Sequence, residues 1–499
     1  MLAECNVARK AGAMRPLLAL LFVPLLMLAP QACRPQPEGM LKAVVIGGAP
    51  KLRDPTLGSV PSYDAVLLQN VAQGLVRFDA SGNIVSGLAE RWNVSDDGLS
   101  YIFRIASRNW PDGTKITAQQ IVRLLKRQLA DRSRNSLKDS VGAIEDVVAM
   151  TDRVIEIRLL APRPNLLALL AQPEFSILRG TDGTGPFIGV WTGGPGGEVR
   201  LSRDIAVGDE ESTEREELTL LGASAAEAVR DFVRGDSDIV LGGTFVDLPL
   251  TARFRLPRNA LRFDPVSGLF GLIPMRRGGK LDSPEVRGLL SQALDRSNFV
   301  ASLSVPGLAP RATLLEPGLD GILPPVAPAW FATPLPARLD SLRADADRLL
   351  GKEKPVLRVA LPEGPGADQL LAELKHDWGA IGLNVEPAQS AAEADFVLID
   401  EVAPSSSPAW FVRRFHCGAA PVCDSSADEL MEAARQTPIP AQRYALLAQA
   451  AGRIDELQIF IPIAAPVRWS LVSDRIQGFA GNRYARHTLT DLQQPAGNQ

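Results

Sequence analysis

Histidine is scarce in this chain of 499 residues: only His376, His416 and His487 occur, and none stands in a metal-ligand spacing. Neither a Gly-x-Ser-x-Gly elbow nor a dinucleotide-binding Gly-x-Gly-x-x-Gly is present. Serine-nucleophile, metal-hydrolase and dinucleotide chemistries thus lack their usual parts, and no enzymatic activity, cofactor or bound metal is expected. Positive charge is not concentrated either. The net charge is −4, and no run dense in Lys or Arg offers a footprint for nucleic acid. No apolar run reaches the 18 residues needed to cross a bilayer. With 22% charged and 46% hydrophobic residues the composition is that of a globular protein, and the length asks for two or three domains.

What is present begins with a targeting pattern. Arg9, Lys10 and Arg15 precede an apolar run from Pro16 to Leu28, the layout of a secretory signal, and either Met1 or Met14 can start it. Cys33 follows, with Ala32 before it and Pro30 at the third position upstream, where lipoprotein signals usually carry an aliphatic residue. The expectation is a signal over residues 1–32, a lipid anchor at Cys33 and a tether over 33–40, so that the membrane is met only through the lipid. Cys417 and Cys423, six residues apart in a chain that reads as exported, are expected to form a disulfide.

Residues 74–122 organise the rest. Val76–Phe78 and Ile84–Val85 flank the small polar residues Asp79, Ser81, Gly82 and Asn83, which suit a hairpin loop. Asp96-Asp97-Gly98 marks a second turn, after which Leu99, Tyr101, Phe103 and Ile105 alternate at strand period. Asp112-Gly113 makes a third turn. Thr117 with Gln120 forms the two halves of a capping box, and Ile121, Leu124, Leu125 and Leu129 make the apolar stripe of a helix.

The order Gly74-Leu75-Val76, Gly87-Leu88-Ala89 with Trp92, Asp96-Asp97-Gly98 with Tyr101 and Phe103, then Trp110, Asp112-Gly113 and Thr117-Ala118 resembles family 5 of the extracytoplasmic solute-binding proteins. These are the oligopeptide-, dipeptide- and nickel-type receptors of ABC importers. Further pieces are similar: Asp54-Pro55, Gly183-Thr184-Gly185-Pro186-Phe187, Gly235 with Asp238-Ile239, Ala293 with Asp295-Arg296, the Pro462 strand, and Ile476 with Gly478-Phe479. The turn at 183–187 lacks the Lys-Ser/Thr of a phosphate-binding loop. Asp295 and Arg296 are expected as a solvated or interlobe ion pair.

The resemblance implies a mixed α/β, two-lobed fold of the periplasmic-binding-protein type II class, with an extra α+β subdomain on the first lobe. Lobe I is expected from residues 41–60, 176–265 and 473–499, the subdomain from 61–175, and lobe II from 266–472. Residues 269–274 and 469–472 are expected as the two crossings between lobes. It implies capture of a peptide or similar small solute in the interlobe cleft by a monomer outside the cytoplasm, and delivery to an ABC permease and its ATPase subunits. In peptide-binding relatives a carboxylate takes the peptide's ammonium. The corresponding stretch keeps an aromatic pair, Trp410-Phe411, but has serines at 405–407 where the family shows Asp-Pro. The expected ligand-binding residues are Asp400, Glu401, Trp410 and Phe411. The alternative is an envelope scaffold of the same fold that has lost ligand capture.

Overall fold

The computed structural model describes residues 40–194, 196–207, 212–275 and 278–493. The signal, Cys33 and residues 34–39 of the tether lie outside them. Among the described residues no helix is long and apolar enough to cross a membrane.

Lobe I is built on a seven-stranded sheet, in the order 261–263, 468–472, 239–244, 41–46, 212–223, 198–207, 188–193. Its centre is the strand Leu41–Ile46, parallel to both neighbours. Such a strand is buried on both faces, which accounts for its apolar run Ala43–Ile46. Ala43 and Val45 pack with Val66, Leu67 and Val71 of the helix Ser62–Val71. Val44 and Ile46 point the other way, toward Ala228, Val229 and Phe232 of the helix Ala225–Arg234. The helix Ser62–Val71, expected in the subdomain, therefore belongs to the core of lobe I.

The turn at 183–187 owes its glycines to this helix. Gly185 N–H donates to the Val71 carbonyl at 3.0 Å and Phe187 N–H to the Asn70 carbonyl at 3.0 Å. A Cβ on Gly183 would stand 2.1 Å from that Val71 oxygen, and one on Gly185 2.4 Å from the Val71 carbonyl carbon. Backbone meets backbone here, so no side chain can yield. Gly185→Ala is expected to cost about 1–3 kcal/mol of stability, seen as a lowered midpoint in chemical denaturation; an unchanged midpoint would refute the packing argument.

The subdomain carries a four-stranded antiparallel sheet, ordered 89–94, 100–105, 154–159, 144–151. The hairpin Val76–Phe78 with Ile84–Ser86 stands beside it. The helix Ala118–Leu129 begins with the capping box of Thr117 and Gln120. Trp110, 2% exposed, donates its Nε1 to Gln120 Oε1 at 3.0 Å, so the Trp-x-Asp-Gly turn and the helix cap share one residue. Tyr101 donates its hydroxyl to the Arg163 carbonyl at 2.9 Å and so anchors the loop after the strand Val154–Leu159. The subdomain is fastened to lobe I by the Asp54–Arg127 ion pair at 2.8 Å, by Arg486–Glu174 at 3.0 Å and by stacking of Phe78 on Tyr484.

Lobe II holds a five-stranded sheet, ordered 384–387, 356–360, 396–402, 268–274, 461–464. The strand Val356–Ala360, the helix Pro365–Ala380 and the strand Asn384–Pro387 form a β-α-β unit with parallel strands. The strand Gly268–Pro274 lies wholly within this sheet, and Arg468–Val472 wholly within that of lobe I. The chain therefore crosses in the short segments 264–267 and 465–467, and not in the strands expected to do so.

Arg296, expected in a solvated or interlobe pair, is only 2% exposed. Its guanidinium donates to the carbonyls of Pro462 and Ser291 and to the Ser291 hydroxyl. Burial pulls its pKa down to about 9. Asp295 caps the helix Arg296–Leu303 by accepting from Asn298 N–H.

Candidate functional site

A cleft of about 1060 Å³ opens where the three parts meet. Lobe I supplies Gly242–Thr244 and residues 484–487, the subdomain supplies Leu137, Arg163, Asn165 and Gln172, and lobe II supplies residues 400–405, Trp410 and Tyr444. The volume stands at the upper end for small-ligand pockets. The walls are joined across the opening: Asn165 Nδ2 donates to Ser405 Oγ at 2.8 Å, and Gln172 Nε2 to the Pro404 carbonyl at 2.9 Å. The serines that replace the family's Asp-Pro thus serve as the landing point of the subdomain on lobe II.

Asp400, Glu401 and Trp410 line this cleft. Both carboxylates already hold a cation. Arg468 Nη1 donates to Asp400 Oδ1 and Oδ2 at 2.8 and 3.0 Å, and its Nη2 to the Asp400 carbonyl at 3.0 Å. Burial pushes the Asp400 carboxyl up, with Arg468 opposing. Glu401 receives Arg414 Nε at 3.0 Å, and the hydrogen bond raises the arginine's pKa. Phe411 is not at the cleft. It is fully buried in the core of lobe II, edge-on to Trp410 at 5.0 Å. Both residues lie on the helix Pro408–Arg413, where consecutive residues point about 100° apart; Trp410 turns to the cleft while Phe411 and Val412 turn to the core. Asp54, similar to a step near the cleft in relatives, is not among the lining residues; it holds Arg127.

Asp320 was not anticipated. It lines the cleft, and its carboxylate has no hydrogen-bond or ion-pair partner among the described residues. Its backbone N–H is fixed on the Ser406 carbonyl at 3.0 Å. The next residue, Gly321, has φ +64, and a Cβ there would fall 2.0 Å from the Tyr444 ring, so the turn is pressed against that tyrosine. Burial raises the Tyr444 and Tyr484 phenols, and the Asp320 charge pushes both the same way. At Tyr444, Arg443 and Arg163 pull in the opposite sense. A bare carboxylate and a group of guanidinium ions thus flank one tyrosine.

Cys417 and Cys423 are disulfide-bonded, with Cα atoms 5.0 Å apart. On the helix Pro365–Ala380, Glu373, His376 and Asp377 come within 4.8 Å of one another. Glu373 accepts from Asn298 Nδ2 at 2.7 Å and Asp377 from Asp295 N–H at 2.6 Å, contacts that dock this helix on the start of the helix Arg296–Leu303.

Two lobes joined by paired crossings, with a third element folded over a solute-sized cleft, define a receptor of the periplasmic-binding type. The description "Bacterial extracellular solute-binding proteins, family 5 Middle" matches residues 83–401. The "Probable di/tripeptide-binding protein 5" of Pseudomonas aeruginosa is 24% identical over 491 residues, spanning 83% of this chain and 88% of that protein. OppA of Haemophilus influenzae, solved in complex with RPPGFSPFR, matches with a TM-score of 0.78 at 16% identity, over 92% of this chain and 99% of that one. The murein tripeptide binding protein MppA of Escherichia coli also matches at 0.78, with 17% identity over 92% and 99%. The chain belongs to the bacterial extracellular solute-binding proteins, family 5, a family of binding proteins that work outside the cytoplasm.

Proposed function

We propose that this protein captures peptides for an ABC importer, closing its lobes over them and presenting the closed form to a membrane permease with its ATPase subunits. The observation that carries the reading is the cleft itself: three parts of the chain converge on a crevice in which the half-buried Asp320 keeps a carboxylate without a partner among the described residues. An α-ammonium is the natural occupant of such a group, since a charge-assisted hydrogen bond in a closed cleft is stronger than a solvated pair. Asp320 is therefore the proposed ammonium acceptor in place of Asp400 and Glu401, whose oxygens face Arg468 and Arg414. Trp410 is the proposed apolar wall. The peptide-binding relatives support this reading, and none of them supports the scaffold alternative.

Ligand binding to the folded state alone stabilises it by about 2.7 kcal/mol at a hundred times Kd. A thermal-shift screen with pools of two- to five-residue peptides should therefore raise the melting temperature, and native mass spectrometry should show the added mass. Peptide pools that change neither would overturn the proposal.

The proposed attachment is a lipid on Cys33. Cys33→Ala is expected to move the protein from the membrane pellet to the soluble fraction, and continued sedimentation with membranes would disprove that anchor.

A further inference from the structure

A second cavity, of about 660 Å³, lies wholly within lobe II and shares no lining residue with the interlobe cleft. Its walls come from the helices Pro284–Gln292, Leu335–Leu350 and Pro440–Glu456, together with the Pro-rich stretch 326–330. The size falls within the range of small-ligand pockets. Leu289, Val326, Pro328, Trp330, Leu342 and Leu349 give it apolar surface. Arg296 and Arg338 already lie over the Trp330 ring, 5.5 and 5.1 Å from its centroid. That residue therefore offers a wall, and not a seat for another cation.

The polar groups of this cavity are out of balance. Four carboxylates line it, Glu285, Asp345, Asp455 and Glu456, against one guanidinium, Arg348. Glu285 accepts from the Ser283 hydroxyl, Asp345 pairs with Arg348 at 2.7 Å and Glu456 pairs with Arg453 at 3.2 Å. Asp455 has no such side-chain partner among the described residues. Its Oδ1 accepts from Leu314 N–H at 2.8 Å, and its Oδ2 meets no donor among them. Burial pushes this carboxyl up to about 7, with only the Leu314 hydrogen bond opposing. Gln458, also in the lining, donates Nε2 to the Asp455 carbonyl, and its buried Oε1 has no partner among the described residues. Two acceptors three positions apart thus lack a donor, and an acceptor withdrawn from water in that state costs free energy.

We propose that this cavity is a second binding site, for a small amine whose ammonium seats on Asp455 Oδ2 beside Gln458 while its hydrocarbon part lies against Leu289, Leu342 and Trp330. An ammonium carries three donors and no acceptor, so it answers a surplus of acceptors. Its charge suits a lining in which carboxylates outnumber guanidinium ions, and makes the hydrogen bond to Asp455 stronger than a neutral donor could.

Calorimetric titration with phenethylamine and with 2-phenylethanol, its uncharged twin, tests the site. The amine should bind with a Kd of about 1 mM or tighter, and the alcohol about tenfold more weakly or worse. Asp320 is itself a proposed ammonium acceptor, so the titration is repeated in Asp320→Asn, where the affinity should be kept. In Asp455→Asn, which retains an oxygen for Leu314 N–H and removes only the charge, it should fall about ten- to a hundredfold. Gly288→Leu serves if that variant fails to fold. Gly288 lines the cavity, and a Cβ there meets nothing closer than Gln458 Cγ at 3.9 Å, so the leucine fills the space and should abolish binding. Amine affinity that survives either lobe II substitution, or that is lost in Asp320→Asn instead, overturns the proposal. So does equal affinity for the alcohol, or no binding of phenethylamine up to about 10 mM.

Discussion

Asp400→Ala is expected to lower the unfolding free energy by about 3 kcal/mol, the scale of a buried ion pair broken on one side. The two side chains retain only 15% and 16% of their exposure, so water does little to replace the lost partner. The position magnifies the effect. Asp400 lies in the strand Phe396–Val402, paired with the strand that follows the first crossing, and Arg468 opens the strand that follows the second. The pair thus clamps the two sheets together at the floor of the cleft. A double-mutant cycle of Asp400→Asn and Arg468→Gln in urea should give a coupling above about 1 kcal/mol. Strictly additive losses would show that the contact does not hold the sheets, and would return Asp400 to the set of groups free to meet a solute.

Asp320→Asn is expected to weaken peptide binding by about a hundredfold, since it removes the charge from a hydrogen bond of the ionic kind, worth up to about 3 kcal/mol. The fold should be untouched, because no described side chain leans on that carboxylate. Glu401→Gln is the control: with its oxygens on Arg414, it should change affinity by less than about threefold while slightly loosening the helix Pro408–Arg413. Calorimetric titration of both variants with one peptide that binds the native protein separates the possibilities. Full affinity in Asp320→Asn together with a large loss in Glu401→Gln would put the ammonium site back on the strand end.

The fold was far more legible than the site, and the reason is physical. Turn residues, caps and alternation report local backbone needs, so the hairpin at 76–86, the strand through Tyr101 and Phe103, and the Thr117 capping box could be read from neighbours in sequence. Even the Trp410–Phe411 error was open to correction. Ser407-Pro408 signals a helix start, and on a helix adjacent residues point about 100° apart, so a pair read as lying side by side need not share one surface. The cleft is different in kind. Whether a carboxylate is free depends on what lies across from it, and Arg468 is 68 residues from Asp400. Arg443 reaches the Pro162 carbonyl from 281 residues away. Nothing local distinguishes Asp320, in a loop, from the buried Glu316 four residues before it, which pairs with Arg311.

The central strand of lobe I has a bearing on how the chain is made. Leu41–Ile46 pairs with Ile239–Thr244, far along the chain, and that strand in turn pairs with Arg468–Val472. A long stretch of polypeptide must therefore appear before the first strand has its full set of neighbours, which makes lobe I the slow, non-local part of the molecule. The β-α-β unit of lobe II is contiguous and can assemble early. The cleft, lined by both Gly242–Thr244 and Arg468, depends on strands that lie far apart in the chain.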